Sequence, residues 1–397
     1  MSIKLPILAD KSICTGCGAC ASKCPNGNIK MVYDVEGFLF PQINDNCLGC
    51  DLCTKVCPVI NIKTKSNYVQ LACGAIHRNK KIWSESSSGG AFSAVCQAYG
   101  DSQTIVFGAV FDDVNKKIKH AWVKGIDNVT PLLGSKYVQS EIGDSFIKVK
   151  EFLNNGNRVI FSGTPCQVAA LKSYLKNTKT DELLCIDLVC HGVSSPGVFK
   201  SYLQSLENQY KKKIKNFNFR YKRTTLGIHS LYNVKLTFED NSTVVDTSNL
   251  FINLFLQKEI CRKSCDNCLY TCPQREGDIT LADFKSMYTV IKDAPYNKNG
   301  SAIICNTEKG KKVFNLLGDY MYIYECTVES IINTNNPLSR CIQAPESRER
   351  FFESYKNNTS ALDVMQEFRR RPRISSRITS LIPTKIKELI KNKKRKK

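Results

Sequence analysis

Two copies of one cysteine pattern near the N-terminus limit what this chain can fold into more than any other feature. Residues 14–25 read CTGCGACASKCP and residues 47–58 read CLGCDLCTKVCP, so the pattern CxxCxxCxxxCP recurs after 33 residues. Two copies indicate a duplicated small unit rather than a solenoid, which needs more repeats. Between the copies, residues 31–34 and 38–41 flank a Val-Glu-Gly turn, and this arrangement predicts a short hairpin.

This spacing predicts two [4Fe–4S] clusters. A tight loop with cysteines three apart supplies three thiolates to one cluster, and the cysteine before the proline ligates the other cluster. A pair of zinc knuckles is the alternative, but zinc sites usually take two CxxC pairs rather than two complete runs of this kind. The predicted ligands are Cys14, Cys17, Cys20 and Cys57 for the first cluster, and Cys47, Cys50, Cys53 and Cys24 for the second.

A third cysteine group lies far from the repeat. The chain has 20 cysteines among 397 residues, and their clustering favours metal ligation over disulfides. A CxxC centre can hold zinc or part of a third iron–sulfur cluster, and Cys190 competes for one ligand place. The predicted group is Cys261, Cys265, Cys268 and Cys272. For the cysteines without such neighbours we expect buried, apolar roles: Cys73, Cys96, Cys185, Cys305, Cys326 and Cys341.

The rest of the chain alternates strand and helix patterns. Apolar runs at 103–111, 158–162 and 183–189 predict buried strands, and helical patterns follow the last two. Period-2 alternation at 232–238 predicts an antiparallel strand, and residues 346–370 read as helical. The predicted fold class is α+β, with a dicluster ferredoxin domain (1–66), an α/β domain (67–345), and a helical segment with a basic tail (346–397).

Two loops and one histidine are candidate ligand sites. Residues 86–90 (SSSGG) precede a helical pattern, and a helix start exposes N–H groups to phosphate, although an ordinary capped start is the alternative. Residues 163–167 (GTPCQ) also follow a strand and begin a helical pattern, so they are a second candidate ligand loop. A purely structural helix cap is again the alternative. His191 follows a strand, where α/β proteins bind ligands, and a hydrogen-bonded loop histidine is the alternative.

Six motifs taken together resemble the coenzyme F420 hydrogenase/dehydrogenase β-subunit family. They are, in order, SSSGGAFSA, GSKYVQS, GTPCQ, DLVCHGVSSP, SCDNC and GDITLADF, and the resemblance covers residues 10–345. The chain is most similar to bacterial members that carry an N-terminal two-cluster ferredoxin domain and are often associated with polysaccharide biosynthesis. The resemblance implies a noncovalent FAD, with flavin contacts at Ser88, Gly89, Gly90, Ser135, Lys136, Tyr137, Gly163, Thr164, Pro165, Cys166 and Gln167. Cys166 and His191 are the catalytic candidates.

The resulting functional hypothesis is an FAD- and iron–sulfur-dependent oxidoreductase. A ferredoxin or another redox donor is the expected partner, and the expected substrate is an unidentified small molecule or saccharide. A non-catalytic electron-transfer subunit of a partner oxidoreductase is the alternative, and an F420 reaction is a weaker variant. Nucleic-acid binding is not expected, because the sequence has neither a helix-turn-helix pattern nor interleaved aromatic residues.

The positive charge is concentrated in the C-terminal tail. The chain has a net charge of +21, and the segment from Arg369 to Lys397 contains thirteen Lys or Arg residues and one acid. This segment reads first as a solvated extension, with peripheral contact to an anionic membrane as the alternative. The N-terminal residues lack a secretory signal and no apolar run is long enough to span a membrane, so we expect a cytoplasmic protein, with the inner face of the membrane as a second location.

Overall fold

The structure is a computed structural model that describes residues 5–62, 71–225, 228–230, 232–284, 287–295, 299–358 and 360–369. The strands are β1 (Ile29–Tyr33), β2 (Leu39–Ile43), β3 (Leu71–His77), β4 (Ile105–Asp112), β5 (Lys117–Lys124), β6 (Val159–Gly163), β7 (Leu183–Leu188), β8 (Ile214–Asn218), β9 (Arg223–Thr225), β10 (Ile228–Ser230), β11 (Val234–Phe238), β12 (Thr243–Asp246), β13 (Ile279–Phe284), β14 (Gly300–Cys305) and β15 (Met321–Glu325). The helices are α1 (Ala19–Lys23), α2 (Leu52–Val56), α3 (Lys80–Glu85), α4 (Ala91–Tyr99), α5 (Ser145–Asn154), α6 (Pro165–Tyr174), α7 (Pro196–Tyr210), α8 (Leu250–Leu256), α9 (Met287–Val290), α10 (Glu308–Leu316), α11 (Val328–Ile332), α12 (Ser347–Asn357) and α13 (Ala361–Glu367).

The N-terminal domain folds as the duplicated unit that the cysteine pattern predicts. The predicted hairpin is confirmed, since β1 pairs antiparallel with β2 and Tyr33 lies opposite Leu39. Each repeat adds one short helix, and each helix follows a residue in the left-handed region, Gly18 (φ 72°) or Asp51 (φ 57°). The two copies of the sequence pattern therefore adopt the same local backbone path.

An eight-stranded mixed sheet forms the centre of the second domain. Its strand order is β15-β3-β14-β13-β7-β6-β4-β5. The four central strands β13, β7, β6 and β4 are parallel, and the flanking strands are antiparallel to their neighbours. The three predicted buried strands are confirmed as β4, β6 and β7, and the predicted helices are confirmed as α6 and α7. Parallel strands end at one common edge, and the GTPCQ and Cys-His-Gly loops both leave from it.

A smaller antiparallel sheet and four helices form a second core in this domain. The predicted strand at 232–238 is confirmed as β11, which lies between β8 and β12. The predicted helical segment after residue 346 forms α12 and α13, and their side chains pack into the same core as α7 and α8 through Phe351, Phe352, Val364 and Met365. These two helices therefore share the core formed by α7 and α8.

Two predicted features lie outside the described residues. These are the domain boundary near residue 66 and the basic tail from residue 370 onwards. No helix in the part of the chain that the structure describes is long and apolar enough to cross a membrane.

The hairpin turn of the N-terminal domain docks onto the start of α7. The Gly197 N–H donates to the Gly37 carbonyl at 3.0 Å, and the Ser195 hydroxyl donates to the Glu36 carbonyl at 2.6 Å. The Arg348 guanidinium on α12 binds the Glu36 carboxylate at 2.6 Å and also donates to the Cys261 carbonyl at 2.7 Å. This interface fixes the position of the cysteine loops relative to the second domain.

Candidate functional site

The first cysteine site contains ligands from both repeats. Cys14, Cys17 and Cys20 of the first repeat and Cys57 of the second line one cavity with an empty volume of about 380 Å³. These are the four cysteines that the spacing groups together. Cys24 and Cys57 have nearly the same backbone angles (φ −69° and −70°), so each repeat presents its last cysteine in the same way. We call Cys14, Cys17, Cys20 and Cys57 the first site. We call Cys24, Cys47, Cys50 and Cys53 the second site.

Glycine permits the tight loop of the first site. Gly16 has φ 64°, a conformation that other residues adopt only with strain. A Cβ at this position would also lie 2.6 Å from the Gln139 side-chain nitrogen, so the second domain packs directly against the loop. The equivalent residue of the second repeat, Gly49, has φ 66°. Both CxxC turns thus depend on a left-handed glycine.

The thiols of these sites are crowded and removed from water. Burial, together with the charges of the neighbouring Cys14 and Cys57, raises the pKa of Cys17 to about 11. In the second site, burial raises the pKa of Cys53, and Cys47 and Cys50 add to this effect. Buried thiolates that repel one another need a positive partner, which the iron atoms of a cluster supply. The donor set therefore fits iron–sulfur clusters.

No group of three or more His, Cys, Asp or Glu side chains in the described ranges converges on a point as a single metal ion requires. The cysteines of the first site surround a cavity instead. A [4Fe–4S] cube takes its thiolates at four separate iron atoms, so its ligands stand around a volume rather than around one point.

A second cavity, with an empty volume of about 550 Å³, brings together cysteines from distant parts of the chain. Cys166 comes from the GTPCQ loop, Cys190 from the loop after β7, and Cys265 and Cys268 from the loop after α8. Burial raises the pKa of Cys166 well above its usual value, and Cys190 and Cys268 raise it further. We call Cys166, Cys190, Cys265 and Cys268 the third site.

This arrangement differs from the local group of four predicted between residues 261 and 272. The Cys261 thiol is buried in an apolar core and faces the Phe255 carbonyl at 3.8 Å. The Cys272 thiol faces the Gln274 carbonyl oxygen at 3.1 Å, and neither cysteine lines the cavity. The competing residue Cys190 lines it, and so does Cys341, for which the sequence indicates only an isolated apolar role.

The three loops assigned to flavin contact one another. The Ser135 N–H donates to the Ser87 hydroxyl at 2.7 Å, which joins the SSSGG and GSKYVQS loops. The Gln167 amide donates to the Ser140 hydroxyl at 3.0 Å, which joins GSKYVQS to GTPCQ. Pro165 and Cys166 of the last loop line the third site. The candidate flavin loops therefore adjoin a cysteine site.

Several side chains in these loops have structural partners. A Cβ on Gly89 would lie 2.2 Å from the Ala75 carbonyl oxygen, so this glycine is required by close packing against β3. The Ser88 hydroxyl donates to the Gly300 carbonyl at 2.5 Å. Gln167 accepts the Thr164 N–H at 3.0 Å and caps α6. The alternative of an ordinary helix start, which the sequence leaves open, accounts for these contacts.

Two half-buried lysines lie at the first two flavin loops. Lys136 donates to the carbonyls of Pro131 and Leu133, and burial lowers its pKa to about 7. The Lys222 ammonium donates to the Ser88 carbonyl, and burial lowers its pKa to about 7 as well. A phosphate of a dinucleotide beside these lysines would stabilise their charged form. Sequence reasoning missed Lys222, because no local motif marks it.

Histidine and tyrosine side chains complete the surroundings of these loops. His191 lines the third site, and its ring meets the edge of Phe255 at 5.9 Å. The Tyr137 ring stacks on Phe255 at 4.8 Å between centroids. His120, which the sequence does not single out, contacts the Ser140 hydroxyl at 2.9 Å. Burial lowers the pKa of His120 to about 4, so it is neutral at pH 7.

Two family models match this chain. Residues 156–330 match the C terminus of the beta subunit of coenzyme F420 hydrogenase/dehydrogenase, and residues 7–64 match the 4Fe-4S dicluster domain. No curated protein matches the sequence. Among solved structures, the chain is similar to one from the F420-reducing [NiFe] hydrogenase complex of Methanosarcina barkeri, with 14% identity and a TM-score of 0.43 over 75% of this chain and 90% of that chain.

Proposed function

We propose that this chain is an iron–sulfur flavoprotein oxidoreductase, because residues 156–330 match the C terminus of the coenzyme F420 hydrogenase/dehydrogenase beta subunit and residues 7–64 match the 4Fe-4S dicluster domain. It exchanges electrons between its clusters, a noncovalent FAD and a small-molecule or saccharide substrate. Iron–sulfur clusters supply one-electron transfer, and a flavin exchanges electrons singly or in pairs.

The observation that carries this proposal is the position of the third site between the ferredoxin domain and the candidate flavin loops. Thr15, from the Cys14–Cys17 loop of the first site, lines the same cavity as Cys166. Cys166 belongs to GTPCQ, one of the candidate flavin loops. A site in contact with both the ferredoxin domain and the flavin loops is suited to electron transfer between them.

Each part of the chain has a defined task in this proposal. The cysteines of the first and second sites hold two [4Fe–4S] clusters, and those of the third site hold one more. Lys136 and Lys222 neutralise the FAD phosphates, while Gln167 and His120 fix the loops relative to one another through Ser140. Three expectations from the sequence remain predictions. They are a redox donor such as a ferredoxin, a saccharide substrate, and contact of the tail with a membrane.

Cofactor analysis of anaerobically purified protein tests the proposal. About twelve iron atoms per chain are expected from three clusters, with one flavin released on denaturation at the mass of FAD. Cys190→Ser removes a ligand of the third site and should lower the iron content by about four atoms. Cys272→Ser is the matched control, because this thiol lies outside the cavity, and it should retain the iron.

Two results of this experiment would contradict the proposal. Stoichiometric zinc with negligible iron would exclude the clusters. Loss of iron in Cys272→Ser with full iron in Cys190→Ser would show that the third group is local, as the spacing alone suggests, and that the cavity is not a cluster site.

A further inference from the structure

Arg262 lies between the first and third sites and contacts both. Its side chain is 1% exposed, and the residue lines the cavity of the third site. The Nε atom donates to the Cys14 carbonyl at 2.8 Å, and one terminal nitrogen donates to the Leu39 carbonyl at 3.1 Å. The other terminal nitrogen donates to the Gln139 side-chain oxygen at 3.0 Å. One guanidinium therefore adjoins two cysteine sites.

The acceptors of Arg262 are all neutral. Its guanidinium also lies over the Phe40 ring at 4.1 Å, and within the described ranges it forms no ion pair with a carboxylate. Arg348, which is equally buried at the same domain interface, is paired with Glu36 at 2.6 Å. The Asp34 carboxylate attracts Arg262 without forming an ion pair with it. A buried charge without a direct ion pair is costly, so a resident anion is expected beside Arg262.

We propose that Arg262 is the shared counter-charge of the first and third sites and that it raises the reduction potentials of both. This inference rests on the proposed function, since the anions are the thiolate-ligated clusters. Reduction adds one negative charge to a cluster, and a fixed cation in a medium of low dielectric constant stabilises the reduced form more than the oxidised form. Nearby charge is one of the established determinants of cluster potential.

A purely structural role is the competing explanation. Arg262 and Gln139 together hold the loop of the first site, since the Gln139 amide also donates to the Thr15 carbonyl at 2.9 Å. A Cβ on Gly16 would lie 2.8 Å from the Arg262 guanidinium, so the loop packs closely on this side chain. The test must therefore separate the charge of Arg262 from its hydrogen bonds.

The experiment compares two variants. Arg262→Gln removes the charge, whereas Arg262→Lys keeps the charge and loses the planar guanidinium with its hydrogen-bond geometry. Holoprotein is titrated anaerobically while the reduced clusters are followed by electron paramagnetic resonance, and iron is counted in each sample. In Arg262→Gln, the ratio of reduced to oxidised cluster at a fixed potential should fall about tenfold at the first and third sites. This change equals a decrease of about 59 mV in each reduction potential. Arg262→Lys should restore most of this ratio.

Two references control the measurement. The second site does not adjoin Arg262, so its signal, identified by its loss in Cys50→Ser, should not shift. The double substitution Arg348→Gln with Glu36→Gln removes an ion pair of the same interface without changing the net charge. It should leave the potentials of all sites unchanged while lowering the stability of the domain interface.

Unchanged potentials in Arg262→Gln at full iron content would overturn the inference and leave the proposed function standing. Equal shifts in the Lys and Gln variants would assign the effect to geometry and overturn it too. Wild-type protein without iron would instead overturn the proposed function. If Arg262→Gln fails to fold, Gln139→Glu places a carboxylate on the guanidinium and should lower the same two potentials, and unchanged potentials in that variant would refute the inference.

Discussion

Substitution of Gly37 by alanine should separate the two domains. Gly37 has φ 75°, and a Cβ there would lie 2.6 Å from the Gly197 Cα and 2.8 Å from the Ser195 hydroxyl. A left-handed conformation costs a residue with a side chain about 1–2 kcal/mol, and overpacking a tight contact costs about 1–3 kcal/mol more. We therefore expect Gly37→Ala to destabilise the N-terminal domain by about 2–5 kcal/mol in total, of which about 1–3 kcal/mol is lost from the docking contact.

Gly27→Ala provides a matched control in the same domain. Gly27 has φ 65°, and no atom lies within 4 Å of a Cβ built there, so only the backbone strain of about 1–2 kcal/mol applies. The difference between the two variants isolates the cost of the contact with α7.

Urea unfolding with two probes measures this effect. All variants are measured on a flavin-free Cys190→Ser background, which lacks the third cluster. The two tryptophans, Trp83 and Trp122, both lie in the second domain, whereas the remaining visible absorbance, which comes from the ferredoxin clusters, reports on the first. With Gly37 retained, the two transitions should coincide, because the docked domains stabilise each other. In Gly37→Ala the cluster absorbance should be lost at a lower urea concentration than the concentration at which the tryptophan fluorescence changes. Identical transitions for Gly37→Ala and Gly27→Ala would refute the docking contact.

Three further predictions concern the cofactor sites. Cys57→Ser should remove about four iron atoms, although the other three ligands of this cluster are in the first repeat. Full iron content in this variant would exclude a cluster bound by both repeats. Gly89→Ala should destabilise flavin-free protein by about 1–3 kcal/mol in urea unfolding, because its Cβ meets the Ala75 carbonyl, and an effect on flavin binding alone would contradict this. Lys136 and Lys222 have pKa values lowered to about 7, so the unfolded chain binds more protons above that pH. The stability of flavin-free protein should therefore rise from about pH 7 towards the ordinary lysine pKa, and a smaller slope is expected in Lys222→Met.

The sequence predicts those parts of the site that depend on local spacing. The grouping of Cys57 with Cys14, Cys17 and Cys20 follows from a repeat whose backbone geometry is set within each loop. The strands β4, β6 and β7 are equally local, because a short buried apolar run has few alternative structures.

The remaining features depend on contacts between distant segments. Cys166 and Cys190 meet Cys268 only because β6 and β7 are neighbours in the sheet and their loops leave from the same edge. Gly89 reads locally as a phosphate-binding glycine, yet its N–H donates to the Ser301 hydroxyl, 212 residues away. The burial of Arg262 has no local signal, since arginine side chains in folded proteins are mostly exposed.

Anaerobic reductive titration tests the central claim, that three cluster sites and a flavin occupy one chain. Each cluster takes up one electron and the flavin two, so complete reduction should consume about five electrons per chain. Cys190→Ser should lower this number by one, and Cys272→Ser should not change it. An uptake of about two electrons, unaffected by Cys190→Ser, would mean that only the dicluster domain is redox-active and would contradict the account.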